Sequence, residues 1–211
     1  MTVEDVKRSS RFLRGTLGEE LAEGSDAFSA DSTSLLKFHG IYQQDDRDQR
    51  RALTQKRQPL AYSCMVRTSV PGGVLSADQY LAMDALTDKV SNGTLRITTR
   101  QGIQFHFVAK GDLRSLVSTL NEHLVTTKGA CGDVVRNVVA CPAPLAGRPG
   151  QPLTAAAAQI AARFRPHTHA YYELWVEGEK AVSALEAAPA DAAPEEPAPE
   201  ESEPILNLRG R

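Results

Sequence analysis

Between residues 93 and 108 the chain reads Gly-Thr-Leu-Arg-Ile-Thr-Thr-Arg-Gln-Gly-Ile-Gln-Phe-His-Phe-Val, and its side chains alternate in character with a period of two. That is the period of a strand. Leu95 and Ile97 fall on one face, with Arg96 and Thr98 on the other; Ile103, Phe105 and Phe107 share a face that Gln104 and His106 oppose. As one strand the stretch would reach ~45 to 50 Å at ~3.3 Å per residue, too long for a small sheet. The pattern therefore predicts a hairpin that turns between Thr99 and Gly102, with Gly102 supplying a positive φ.

The same alternation marks residues 61–70, where Tyr62, Cys64, Val66, Thr68 and Val70 oppose Ser63, Met65, Arg67 and Ser69. Pro71-Gly72-Gly73 ends that strand. Ser76 and Gln79 form a capping box before a helix carrying Tyr80, Met83, Leu86 and Val90, and Asn92-Gly93 stops it. Asp112 is the N-cap expected for a second helix bearing Leu113, Leu116, Val117, Leu120 and Leu124, and residues 133–141 read as a last strand. Strand, helix, strand, strand, helix, strand is an α+β order, a ferredoxin-like βαββαβ half-domain. Its helices are expected to cover the face made by Tyr62, Val66, Leu95, Ile97, Phe105 and Phe107.

Around this unit the reading is simpler. Residues 1–60 form an extended N-terminal arm, in which Phe12, Leu13, Leu17 and Leu21 suit a turn or two of helix and 43–51 reads as a solvated face or loop. The half-domain occupies 61–145. A further region, 146–186, holds a helix-prone stretch at 155–164 and a short strand candidate at 171–176, and 187–211 is an Ala-, Pro- and Glu-rich tail expected to be disordered. A net charge of -2 argues against a nucleic-acid or membrane-surface binder. The charged N-terminus is no signal peptide and no apolar run spans a bilayer, which predicts a cytoplasmic protein. Cys64, Cys131 and Cys141 supply neither a CxxC nor four thiolates, and the five histidines show no metal spacing.

The polar face carries the chemistry. Arg67, Arg96, Thr98, Gln104 and His106 project from it, Arg100 stands at the turn, and Arg136 lies inside Val-Val-Arg-Asn-Val-Val. A cation among valines is costly unless an anion or hydrogen-bond network meets it. Guanidinium groups gathered on one surface repel by ~1 to 4 kcal/mol per close pair, and an anionic ligand relieves that cost. The planar fork of arginine matches carboxylates and oxyanions. Against this stands the bland reading, in which each arginine is solvated and His106 is a satisfied structural histidine.

These residues also sit in blocks that resemble a known family. Leu-Lys-Phe-His-Gly-Ile-Tyr-Gln-Gln-Asp-Asp-Arg-Asp at 36–48, Met-Val-Arg-Thr at 65–68 with Pro-Gly-Gly at 71–73, Gly-Thr-Leu-Arg-Ile-Thr-Thr-Arg-Gln at 93–101 with Gln-Phe-His at 104–106, and Ala-Cys-Gly-Asp-Val-Val-Arg-Asn-Val at 130–138 are similar to the N-terminal part of the sulfite reductase haemoprotein, in the sirohaem-dependent nitrite/sulfite reductase family. Arg-Gly-Thr-Leu at 14–17 and Tyr-Tyr-Glu-Leu-Trp-Val at 171–176 extend the likeness to about residue 182. The resemblance implies an assimilatory enzyme reducing sulfite to sulfide at sirohaem coupled to a four-iron four-sulfur cluster. It makes Arg67 and Arg136 the groups that hold sulfite, and Arg96, Thr98, Arg100, Gln104 and His106 contacts to the sirohaem carboxylates. Gly102 departs from the pattern, where the family usually has Thr.

The resemblance further implies an electron donor, a flavoprotein or a ferredoxin. Family members run on through two substrate-binding lysines and the four cluster cysteines, so this chain is expected to act as an N-terminal portion, inactive alone and completed by a downstream polypeptide. Two readings compete with it. The same element order serves RNA-recognition modules, which a core position for Phe105 and Phe107 argues against, and a non-catalytic assembly module binding a protein partner would suit the acidic, proline-rich tail.

Overall fold

A computed structural model of the chain describes residues 2–132, 134–141, 153–165, 173–176 and 179–183. They divide into two units, Met1–Thr168 and His169–Arg211. In the second, the described residues form an antiparallel hairpin of Glu173–Val176 and Glu179–Ser183. The tail at 187–211 lies outside the described residues.

The first unit is built on the predicted hairpin. Leu95–Ile97 (β1 of the hairpin, called βA below) pairs antiparallel with Ile103–Val108 (βB), and Tyr62–Arg67 (βC) pairs antiparallel with βB on the other side. The turn is tied by Thr98 N–H to the Gly102 carbonyl at 2.8 Å and Gln101 N–H to the Thr98 carbonyl at 2.9 Å. The residue with positive φ is Gln101, at 61°, rather than Gly102. Gly102 is needed for a different reason: a Cβ there would stand 2.8 Å from the Thr68 carbonyl oxygen.

Helix αA, Ala77–Val90, starts at the capping box, with Ser76 Oγ accepting from Gln79 N–H at 3.1 Å and Gln79 Oε1 accepting from Ser76 N–H at 3.0 Å. Helix αB, Leu113–Glu122, buries Leu113, Leu116 and Leu120, whereas Leu124 lies beyond its end, at φ 59° and 89% exposed. These side chains close over Cys64, Val66, Ile103, Phe105 and Val108, with Met83, Leu86 and Val90 of αA. Truncating a fully buried ring such as Phe105 would cost ~3 to 5 kcal/mol.

Three expectations are corrected. The strand expected over 133–141 does not form among the described residues. Its place beside βC is taken by Ile41–Asp45 (βD), in register from Ile41 opposite Val66 to Asp45 opposite Tyr62. Beyond βC, Ser69 N–H bonds the Thr126 carbonyl at 2.8 Å, so the edge is already occupied when residues 134–141 arrive. They are held mainly by side chains instead: Asn137 Nδ2 donates to the carbonyls of Val70 and Arg100 at 2.7 and 2.6 Å, and Gln101 bonds both backbone groups of Ala140. The run 43–51 is likewise not a loop. It completes βD and opens helix αC, Arg47–Gln55, capped by Asp46, and the solvated-face half of that reading is met by αC, which buries none of its residues.

The third correction concerns the covered face. Ile97 is 82% and Phe107 51% exposed, and Tyr62 also lies at the surface. Ile97 sits on the edge strand. Phe107 leaves the core because βB carries a bulge: Phe105 opposes Val66 and Val108 opposes Cys64, so His106 and Phe107 together stand opposite Met65.

The N-terminal arm is helical, with αD at Val3–Ser9, αE at Leu17–Ala22 and αF at Ala30–Leu36. Between αD and αE, Arg11, Phe12 and Leu13 turn left-handed at φ 48°, 59° and 69°, closed by a Gly15 N–H to Ser10 carbonyl bond of 2.7 Å. Val6, Leu17, Phe28, Leu35 and Leu36 join the same core as the sheet. The Lys110 ammonium, on a residue only 6% exposed, fastens the arm: it donates to Ser25 Oγ at 2.9 Å and the Ala27 carbonyl at 3.2 Å and lies 4.8 Å from the centre of the Phe28 ring. Among the described residues no helix is long and apolar enough to cross a membrane.

Candidate functional site

Strand register brings the polar side chains together. Gln104 of βB is opposite Arg67 of βC and opposite Arg96 of βA, so three adjacent strands set Arg67, Gln104 and Arg96 in one row. Residues in register across a sheet share a face. His106 stands two residues along βB.

The row is wired together. With its oxygen toward the guanidinium, the Gln104 amide accepts from Arg67 Nη2 at 2.6 Å and Nε at 2.9 Å, and its nitrogen donates to His106 Nε2 at 3.2 Å. Partial burial lowers the His106 pKa, and the charges of Arg96 and Arg67 lower it further, so the imidazole is neutral at pH 7. A neutral ring accepting from Gln104 keeps its other nitrogen as a donor.

On the other side of Arg67 lie two residues that the sequence reading did not select. The buried Cys131 thiol lies close enough to Arg67, Tyr42 and Arg136 for each to act on its ionisation. Burial raises the thiol pKa more than these cations lower it, and burial together with Cys131 raises that of Tyr42. Both shifts favour the protonated forms, so neither group is poised as a nucleophile. Neither was legible as a partner, because Tyr42 meets Arg67 only through the βD–βC pairing, and Cys131 arrives from a loop after αB. Cys64 is a buried small hydrophobe whose thiol burial pushes up to about 11.

Arg136 and Arg100 line a cavity of about 510 Å³ with Asn137, Val134, Val138 and, from helix αG (Leu153–Phe164), Ile160 and Phe164. Arg136 Nε donates to the Gly132 carbonyl at 3.2 Å. Arg100 is an exposed side chain, whose backbone carbonyl is held by Asn137. Thr98 is placed differently from its neighbours: its Oγ1 accepts from the N–H groups of Gly102 and Arg100 at 3.1 and 3.3 Å, tying the turn. Among the described residues no carboxylate pairs with Arg67, Arg96, Arg100 or Arg136; the ion pairs there are Lys7 with Glu4, Arg8 with Asp5 and Arg50 with Asp45. No three His, Cys, Asp or Glu side chains of the described residues converge as a metal site.

Comparison with known proteins identifies part of the chain. The family profile of the nitrite/sulfite reductase ferredoxin-like half domain matches residues 55–123. Over 180 residues, 85% of this chain and 32% of the relative, it is 44% identical to a sulfite reductase [NADPH] hemoprotein beta-component of Xanthomonas campestris. Residues 55–123 thus form a nitrite/sulfite reductase ferredoxin-like half domain. A Myxococcus xanthus protein of the same name is 46% identical over 179 residues, 84% of this chain and 32% of that one. The fold agrees with that of the Mycobacterium tuberculosis NirA protein, at a TM-score of 0.61 and 22% identity over 77% of this chain and 31% of that one. The chain spans about a third of the length of the curated relatives it matches.

Proposed function

We propose that this chain provides the anion-facing N-terminal portion of an assimilatory sulfite reductase haemoprotein. The observation that carries the reading is the row of Arg67, Gln104 and Arg96, fixed by register and without a carboxylate partner among the described residues. Such a surface is short of negative charge, and a polycarboxylated ligand supplies it.

The residues fit sirohaem as a partner type, since the face offers fixed donors and the adjoining cavity offers apolar wall. Arg96, Arg100, Gln104 and His106 would hold its carboxylates, with Thr98 contributing through the turn it ties. When bound, sirohaem coupled to a four-iron four-sulfur cluster supplies the electrons for reducing sulfite to sulfide. Arg67 and Arg136 hold the sulfite oxygens, and Arg67 is kept in place by Gln104. The cluster itself does not fit these residues: Cys64 and Cys131 are buried and Cys141 is exposed, and no thiolate set converges among the described residues. Its ligands, like the substrate lysines, belong to a downstream polypeptide or segment, so sulfite reduction requires that part.

The electron donor is a flavoprotein or a ferredoxin, and the relatives' name, NADPH hemoprotein beta-component, favours an NADPH-dependent partner. The enzyme works in the cytoplasm. The test is an absorbance titration of the purified chain with sirohaem, alone and with the downstream polypeptide. A shifted Soret band that weakens in Arg67→Ala and Arg96→Ala supports the reading; no band shift in either mixture rejects it.

A further inference from the structure

We propose that Phe107 is a ligand-facing residue, an aromatic edge beside the arginine row against which a flat, polycarboxylated macrocycle rests. This rests on the reading above. Phe107 holds φ at 59°. For a bulky side chain that left-handed conformation costs ~1 to 2 kcal/mol, and here it is the bulge that imposes it.

Packing does not offset that cost. Phe105 and Val108 on either side of the bulge are fully buried, while the Phe107 ring is 51% exposed. The bulge sets two residues, His106 and Phe107, opposite the single Met65, so it turns the ring out of the core toward the side that carries His106. There the two rings stand with centres 6.5 Å apart, tilted by 52°. His106 is bonded to Gln104, and Gln104 to Arg67. An exposed aromatic alone needs no explanation. One that is strained, and in ring contact with a histidine joined through Gln104 to an arginine without a carboxylate partner among the described residues, matches a ligand with both a flat π surface and peripheral carboxylates. Single-stranded nucleic acid shares the π surface, but the chain's net charge of -2 disfavours a polyphosphate.

The experiment compares the full chain with Phe107→Gly and Phe107→Tyr, by Soret titration with sirohaem, by titration with a single-stranded oligonucleotide at low salt, and by thermal melting. The expected result is that Phe107→Gly binds sirohaem roughly tenfold more weakly, melts ~2 to 4 °C higher as the strain is released, and that Phe107→Tyr restores the affinity. Unchanged sirohaem affinity in Phe107→Gly overturns this inference and leaves the proposed function standing. A lower melting temperature in that variant overturns it too, by making the ring a packing residue. Failure of the unaltered chain to bind sirohaem both alone and with the downstream polypeptide removes both, and Phe107-dependent binding of the oligonucleotide replaces them with a nucleic-acid site.

Discussion

Arg67 directs Nη2 and Nε to the same acceptor, Oε1 of Gln104, at 2.6 and 2.9 Å. A guanidinium tethered along one edge has lost most of its rotational freedom before any ligand arrives, and preorganisation of this kind lowers the entropic cost of binding. The part of its fork that faces neither Gln104 nor Cys131 is left for an incoming anion.

Replacing Gln104 by Ala is expected to free Arg67 without unfolding the sheet, and replacing Arg67 by Lys to keep the charge while losing the fork. Each should weaken sirohaem binding by about 10- to 100-fold, the worth of a charge-assisted hydrogen bond. The Soret titration reads this directly, with far-ultraviolet circular dichroism as the control for folding. Full affinity in both variants would show that the row is not the binding surface.

Gly102 answers to sterics. An added Cβ meets the Thr68 carbonyl oxygen at 2.8 Å, and backbone on both sides of the hairpin has little room to withdraw. Gly102→Ala should destabilise the domain by ~1 to 3 kcal/mol, and Gly102→Thr, the residue usual in the family, at least as much. A urea titration that leaves the midpoint of either variant in place would contradict the close approach.

Asn137 is a buried amide with both ends in use, accepting from Ser69 Oγ at 3.3 Å while donating to Val70 and Arg100. Asn137→Ala is expected to cost ~2 to 3 kcal/mol by stranding buried carbonyls. Asn137→Asp should do comparable harm, since a carboxylate cannot donate to them. Chemical denaturation distinguishes this from a role in filling space, for which the isosteric Asp would be tolerated.

Acid should loosen the N-terminal arm in two windows. Burial lowers the His39 pKa from 6.5, partly countered by its bond to the Leu13 carbonyl and reinforced by Lys128 and Arg14; the neutral ring is the folded form, so stability is present above pH 6.5 and falls as the pH drops below it. Glu20 follows. Burial raises its pKa, but bonds from Ser32, Ser29 and Thr16 overcome that and bring it from 4.5 to about 2, so its contribution is full above pH 4.5 and disappears toward pH 2. After solvent screening that amounts to about 1 to 2 kcal/mol. Melting temperature against pH should lose only its lower step in Glu20→Gln.

Local rules were enough for the hairpin, for the capping box at Ser76 and Gln79, and for most of the buried faces of αA and αB, though Tyr80 and Leu124 lie at the surface, because periodicity and caps act within a few residues. The row of Arg67, Arg96, Gln104 and His106 followed from the same alternation. The bulge at Phe107 did not, since it exists only in the register between βB and βC, set by residues forty positions apart. For the same reason βD stayed hidden: Ile41–Asp45 carries a single strongly apolar inward side chain, and its partner strand lies beyond a charged helix. Tyr42 came to the site by way of that pairing, and Cys131 from the loop after αB. Of the helical arm only the short helix at Leu17–Ala22 was anticipated, because the other apolar residues are sparse and widely spaced until they meet the sheet.

The ammonium of Lys110 has consequences for dissecting the molecule. Trimming the chain back to residue 55, where the family profile begins, would take away Ser25, Ala27 and the Phe28 ring together, marooning a cation in an oily cleft and baring the flank of the sheet. The arm and the half-domain therefore melt as one piece, and the smallest autonomous version of this protein keeps its first thirty residues.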